Sequence, residues 1–469
     1  MQHKHYNRRS FLGKLGLGCA SVGATTLLSG ITNMGLVNAA AAANIPYNSS
    51  NNYKALVCIL LSGGNDSFNM LIPRGAGEYV EYASVRGRMA ISQANILPIN
   101  PTISDGKSYG LHPNLPNLKN LFNNANAAFV ANVGALIEPT TLTQFYNNKK
   151  LPPGLFSHAD QVKHWQTSVP QDKDALGWGG RLADILHTTN TNQNLSMNIS
   201  LDGLNVFQKA NTVNTFSIKT ANNGVALLNG SNNISFYENL KRQTLNSLLE
   251  TNYQNTLEKA YVNAVNKATG NSFAFDAALS NGIPFNTTFG AGPLSERLNM
   301  VAKTIAAKDQ LQVNRQTFFV QLGGFDTHKN NLNNHALLMA ELDQALGSFY
   351  ATIEELGLQN EVTTFTISDF SRKLVANGTG TDHAWGGNAI VMGGAVNGNN
   401  IYGTYPNLHL GNTLDVGNGR LIPTTACDTY FAELALWFGA SSSDLDLILP
   451  NINNFWTPVS NQMPIGFMS

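Results

Sequence analysis

Seven consecutive apolar residues, Ala55-Leu56-Val57-Cys58-Ile59-Leu60-Leu61, run straight into Ser62-Gly63-Gly64 and constrain this chain more than any other feature. A strand with one wet face alternates polar and apolar side chains. An unbroken apolar run ended by glycines instead fits a strand buried on both faces, as in a parallel sheet covered by helices. The same alternation of β-like runs and helical patterns continues downstream. Leu115, Leu118, Leu121 and Phe122 repeat at helical spacing ahead of a strand over 127–133 (AAFVANV). A strand is predicted at 317–322 (TFFVQL), a helix over about 334–356, and strands at 362–367 (VTTFTI) and 389–392. In that helix Leu338, Leu342, Ala345, Leu346, Phe349 and Ile353 form one apolar stripe, with Asn333 or Asn334 as the cap. A last helix is expected near 425–438. The pattern predicts an α/β fold, a central and mostly parallel sheet between helical layers.

Residues 190–293 depart from this rhythm. They are dense in Asn, Thr and Ser, with one long helix expected over about 236–268, and read as an Asn-rich insertion or cap on the main domain.

The amino terminus has the three parts of an export signal: Asn7-Arg8-Arg9-Ser10-Phe11-Leu12, a modest apolar stretch to about Val37, and the alanines 39–43. The arginine pair before Phe-Leu marks the twin-arginine version, so residues 1–43 are expected to be a leader and 44–469 the mature domain, in the periplasm or outside the cell. No later segment has the roughly 18 uninterrupted apolar residues of a membrane span. With 29 basic and 29 acidic residues among 469, the chain has no global field to draw nucleic acid. Lys4, Arg8, Arg9 and Lys14 all lie in the leader, so its removal leaves a mildly acidic protein. Only Cys58 and Cys427 then remain, which excludes a disulfide scaffold and reads as two buried thiols.

Polar clusters follow or adjoin four predicted strands, and in open α/β sheets the carboxyl ends of strands converge on one crevice. Ser62-Gly63-Gly64-Asn65-Asp66-Ser67 offers Asp66 either as an oxygen ligand for a cation or as the cap of the next helix. Gly323-Gly324-Phe325-Asp326-Thr327-His328 places a carboxylate and an imidazole two residues apart, a pairing that can bind one divalent ion. Ser368-Asp369-Phe370-Ser371-Arg372 supplies a further acid and a guanidinium that could clamp an anion, or a plain surface ion pair. The Gly-rich stretch 378–387 carries Asp382 and His383. Ser157, ahead of His158, stands where a helix starts and reads as a helix cap or as a nucleophile activated by the helix dipole. His112-Pro113 marks a helix boundary. There is no HExxH, P-loop, GxSxG, GxGxxG or zinc-finger spacing.

Taken in order, the twin-arginine start, LLSGGNDSFNMLIP, LHPNLPNLKNLF, FSHADQVKHWQTS, QLGGFDTHKN, ISDFSRKLVANGTGTDHAWGGNAIVMGG and IPTTACDTYFAELALWFGA resemble the exported domain-of-unknown-function family 1501. That family is similar to the alkaline phosphatase and sulfatase superfamily. The resemblance implies an alkaline-phosphatase-like fold and metal-dependent hydrolysis of phosphate or sulfate esters, of small molecules or polymers, with Zn²⁺, Mg²⁺ or Ca²⁺. It also implies Asp66, Asp326, His328, Asp369 and His383 as metal ligands, Ser157 as nucleophile and Arg372 as an anion-holding group. Phe370 departs from the superfamily, where a His commonly follows the late Asp, so a second metal site would lack its nitrogen ligand. Asp326 and His328 are also closer together than the superfamily's usual spacing. Two other readings stand beside this one: a non-catalytic exported binding or surface-assembly protein that keeps the fold, and a metal-free hydrolase using Ser157 with His158 or His383.

Overall fold

The computed structural model of the chain describes residues 53–147, 150–220, 243–244, 247–251 and 253–469. The twin-arginine leader expected at 1–43 lies outside them. All described residues fall in the unit that spans 49–469.

The centre is a nine-stranded sheet: β1 (Lys54–Leu61), β5 (Ala127–Gly134), β6 (Asn198–Ser200), β7 (Phe216–Ser217), β8 (Arg315–Leu322), β9 (Val362–Ser368), β12 (Gly387–Met392), β13 (Ile401–Tyr402) and β14 (Thr425–Ala426). They lie in the order β13-β5-β12-β9-β1-β8-β6-β7, with β14 also on β5. Every pairing is parallel except the two made by β12. Two smaller pieces flank the sheet. One holds β2 (Leu71–Pro73), β3 (Leu97–Ile99) and β4 (Tyr109–Leu111); the other is a ribbon of β10 (Arg372–Ala376) and β11 (Thr381–His383).

β1 is an inner strand, with Cys58 beside Phe319 on one neighbour and Phe365 on the other. Because successive side chains point to opposite faces, the unbroken run feeds two cores. Val57, Ile59 and Leu61 pack with Met339, Leu342 and Leu346 on one face; Leu56, Cys58 and Leu60 pack with Trp178 and Phe431 on the other. Helices α1 (Ala76–Arg86), α2 (Pro116–Asn123), α3 (His158–Thr167), α4 (Trp178–Leu186), α5 (Thr256–Ser280), α6 (Pro293–Ala306), α7 (Asn331–Glu355) and α8 (Cys427–Phe438) carry most of the helical residues in this fold. No helix among the described residues is long and apolar enough to cross a membrane. Cys58 and Cys427 are buried and free.

Several boundaries differ from the sequence reading. Residues 198–217 of the expected insertion are not an appendage: β6 and β7 extend the sheet beyond β8. Of the helix expected over about 236–268, residues 236–242, 245–246 and 252 lie outside the described residues and 243–244 and 247–250 are helical; a helix that starts at Thr256, where the Asn255 side chain accepts a hydrogen bond from Leu257 N–H, runs on to Ser280. Helix α7 starts at Asn331 rather than near 334, and no side chain caps it. The expected last helix begins only at Cys427, because Thr425 and Ala426 pair with Val133 and Gly134.

The reversal of β12 decides where the polar clusters lie. The chain leaves β9 at Ser368, turns through the β10–β11 ribbon and re-enters the sheet from the same edge. The amino end of β12 therefore lies beside the carboxyl ends of its neighbours, with Gly387 opposite Val133. All four clusters share that edge.

Candidate metal centre

The loops after β1, β8 and β9 are pressed together by glycine. A Cβ on Gly63, whose φ is +114°, would stand 2.3 Å from the backbone nitrogen of Asp326. The Gly63 N–H donates to Asp369 Oδ1 at 3.0 Å, and the Phe325 N–H to the Ser62 carbonyl at 3.1 Å. The ribbon turn closes from the other side: a Cβ on Gly380 would meet the His328 carbonyl carbon at 2.2 Å.

At this junction three imidazoles surround one carboxylate oxygen. Asp326 Oδ1 lies 3.0 Å from His328 Nε2 and 3.4 Å from both His158 Nε2 and His383 Nε2. His328 Nε2 and His383 Nε2 are 3.0 Å apart. Donor atoms from His158, Asp326 and His383 all lie within 4.8 Å of one another. Asp326 is 47% exposed, so the centre is open on one side.

The proton positions follow from what each ring touches on its far side. His383 Nδ1 is 2.7 Å from the Phe156 carbonyl, which can only accept, so Nδ1 carries the proton and Nε2 a lone pair. Burial lowers the His383 pKa, favouring this neutral ring. His158 Nδ1 is 2.6 Å from Asp369 Oδ2, which gives the same tautomer, and its buried Nε2 has no hydrogen-bond partner. Burial tends to raise the Asp326 carboxyl, but the hydrogen bond and charge of Arg372, with His328 and His158, outweigh it and hold the group below the usual carboxylate range.

Asp326, His328 and His383 thus meet as the sequence suggested. Asp66 does not. Its carboxylate is paired with the buried Arg86 of α1 and accepts from Asn331 Nδ2 at 2.7 Å, so the residue expected as first metal ligand is half of an interior ion pair. Asp369, also expected as a ligand, has one oxygen on Gly63 and the other on His158. Arg372 is fully buried: Nη1 donates to Asp326 at 2.9 Å and to the Gly63 carbonyl at 3.3 Å, Nε to Thr381 Oγ1 at 3.3 Å, and Nη2 to the Thr381 carbonyl. It holds a carboxylate rather than facing an open space. Ser157 caps α3 without a side-chain cap bond, between Phe156 and His158, which both touch the centre. His112 lies elsewhere, buried beside His335.

His158 is not among the ligands that the sequence suggests; its signal there is its place as first residue of a helix, next to the candidate nucleophile. Phe370, which denies the site a further nitrogen, packs its ring against His158 (4.7 Å) and His383 (4.6 Å). Behind it a cavity of about 20 Å³, room for one water, is lined by Asn65, Ser67, Ser368, Ser371 and Asn388.

The Nε2 atoms of His158 and His383 and the Asp326 carboxylate oxygen converge, against one guanidinium donor. That donor set, with an orphaned buried Nε2 on His158, fits a cation. Metal–nitrogen bonds of ~2.0–2.1 Å put tetrahedral donors ~3.3 Å apart, close to the 3.0–3.4 Å spacings seen here. A nitrogen-rich set of this kind suits Zn²⁺ or a similar transition ion better than Mg²⁺ or Ca²⁺.

No curated protein matches the chain in sequence. Among solved structures it is similar to Ps i-CgsB (10% identity, TM-score 0.35, covering 86% of this chain and 77% of that one). It is similar also to the soluble domain of lipooligosaccharide phosphoethanolamine transferase A from Neisseria meningitidis (10%, TM-score 0.34, 86% and 94%). A third is the lipoteichoic acid synthase LtaP from Listeria monocytogenes (11%, TM-score 0.26), where the match spans 71% of this chain and 61% of that one. A family model matches residues 53–418, and the chain belongs to that family, described as protein of unknown function (DUF1501).

Proposed function

We propose that this protein is an exported, metal-dependent hydrolase of phosphate or sulfate esters. The observation that carries the reading is the meeting of Asp326 Oδ1 with the Nε2 atoms of His158, His328 and His383. Of these, His158, Asp326 and His383 would hold one divalent ion, Zn²⁺ before Mg²⁺ or Ca²⁺, with His328 beside Asp326 and His383. Such an ion, when bound, polarises an ester oxygen and makes a nearby hydroxyl or water more acidic. The ester class comes from the resemblance of the sequence to alkaline phosphatases and sulfatases, and export from the twin-arginine leader.

The chain's own groups have separable tasks. Ser157 presents a hydroxyl at the positive end of α3, where helix amides favour developing negative charge and an alkoxide nucleophile. Arg372 keeps Asp326 ionised and fixed in place. The Phe370 ring walls off one side of His158 and His383 from water.

The test is hydrolysis of p-nitrophenyl phosphate and p-nitrophenyl sulfate by purified protein, stripped of metal and then reloaded with Zn²⁺. Activity is expected to depend on the metal, to vanish in Asp326→Ala and to fall at least ~10²-fold in Ser157→Ala. Metal-free protein that is equally active overturns the proposal. A second reading, a non-catalytic exported binding protein, is favoured by Phe370 and by the ion pair that occupies Asp66. It is distinguished by retained metal with no turnover of either ester.

A further inference from the structure

Asp369 and the carbonyl of Phe156 stand behind the centre rather than in it. Asp369 is buried, and its two oxygens are spoken for: Oδ1 accepts from the Gly63 N–H and Oδ2 from His158 Nδ1. Phe156 is a bulky residue in the left-handed region, with φ +69°, a conformation that side chains of this size rarely adopt. It aims its carbonyl at His383 Nδ1. Arg420 braces this arrangement, its guanidinium 5.0 Å from the centre of the Phe156 ring and its Nε donating to the His383 carbonyl at 3.0 Å. His328 is held more loosely: its Nδ1 lies 3.5 Å from an Asp382 carboxylate that is also bonded to Lys373 and Asn377.

We propose that Asp369 and the Phe156 carbonyl, the latter braced by Arg420, are positioning groups that preset His158 and His383 as Nδ1–H tautomers, so that both Nε2 lone pairs face Asp326 before any cation arrives. This rests on the reading of the centre as a metal site, and it makes Asp369 an orienting residue, not a ligand. Outer acceptors that fix ring orientation and raise ligand basicity commonly change metal affinity 10–100-fold.

The discriminating variant is Asp369→Asn. The Gly63 N–H requires an oxygen at its end of the side chain, so the new amide nitrogen falls opposite His158 Nδ1 and donates to it. That forces the His158 proton onto Nε2 and removes the lone pair from the centre. Long-range ¹H–¹⁵N spectra of metal-free, ¹⁵N-histidine-labelled protein are expected to show His158 and His383 as Nδ1–H in the wild type. In Asp369→Asn, His158 alone reverses to Nε2–H, while an unchanged His383 signal reports an intact fold. Co²⁺ affinity falls ~10–100-fold, and the visible absorption bands of the Co²⁺-saturated variant keep their shape. Arg420→Ala gives the mirror result, loosening the His383 tautomer and leaving His158 as it was. A His158 that stays Nδ1–H in Asp369→Asn, or an unchanged Co²⁺ affinity, overturns the positioning role; displaced Co²⁺ bands overturn it in favour of a ligand. Wild-type protein that takes up no Co²⁺ but shows both tautomers overturns the metal reading alone.

Discussion

The Cα of Gly63 can carry nothing larger than hydrogen on the side facing Asp326. Its φ of +114° and the 2.3 Å approach of a notional Cβ to the Asp326 nitrogen both exclude alanine. Gly63→Ala is expected to cost at least ~1–3 kcal/mol in urea unfolding and to weaken metal uptake, because the loop bearing Asp326 must move. Gly77→Ala, on an exposed helical position with open space around it, is the control and is expected to be neutral or stabilising. The glycine pairs were visible in the sequence as places where backbone comes close to something. What they approach was not: the neighbour of Gly63 is a loop 263 residues away in the chain. Asp66 shows the same limit from the other side. Its residue type and its position after a strand suited a ligand, and only the arrival of Arg86 from α1 made it an ion pair.

Helix α2 shows how elements are held by one another. Its N-cap residue, Leu115, has no side chain able to cap. Asp343 in the middle of α7 does so from outside, accepting from the Asn117 and Leu118 N–H groups at 3.1 and 2.8 Å and from Asn117 Nδ2 at 2.9 Å. Asp343→Ala leaves these donors unpaired and is expected to cost ~1–3 kcal/mol, read as a lower urea midpoint with faster hydrogen exchange at Asn117 and Leu118. Apolar periodicity located α2 and α7, since a helix repeats its buried face at a fixed spacing. Periodicity does not encode the direction in which a strand enters a sheet. The reversal of β12 follows from the ribbon that precedes it, and that ribbon holds Asp382 and His383 at the same edge of the sheet.

Over the whole molecule, buried neutral histidines make stability depend on pH. Burial lowers His112 to about 3, and His164 and His335 to about 4. The unfolded chain binds protons on these rings near the ordinary pKa of ~6.5 and the folded chain does not, so their contribution is complete above that value and is lost as pH falls toward 4. Asp428 acts in the opposite sense, because burial raises it to about 7 and its neutral form favours the fold as pH falls from 7 toward 4. Burial also raises Asp202, Asp343 and Glu433, by smaller shifts that act in the same sense as Asp428, and the three large histidine shifts outweigh them. Melting temperature is expected to drop between pH 6.5 and 4.5, and Asp428→Asn to make the drop steeper; a flat profile contradicts this account. The sequence by itself determined the long inner strands, the helices with an apolar stripe, the polar loops at strand ends, the absence of a disulfide scaffold and the charge balance, because each depends on neighbouring residues or on simple sums. Only the tertiary structure decided that His158 joins Asp326, that Asp369 stands behind it and that Asp66 is turned away. These outcomes depend on distances and proton positions set by backbone contacts between segments hundreds of residues apart, which no local pattern records.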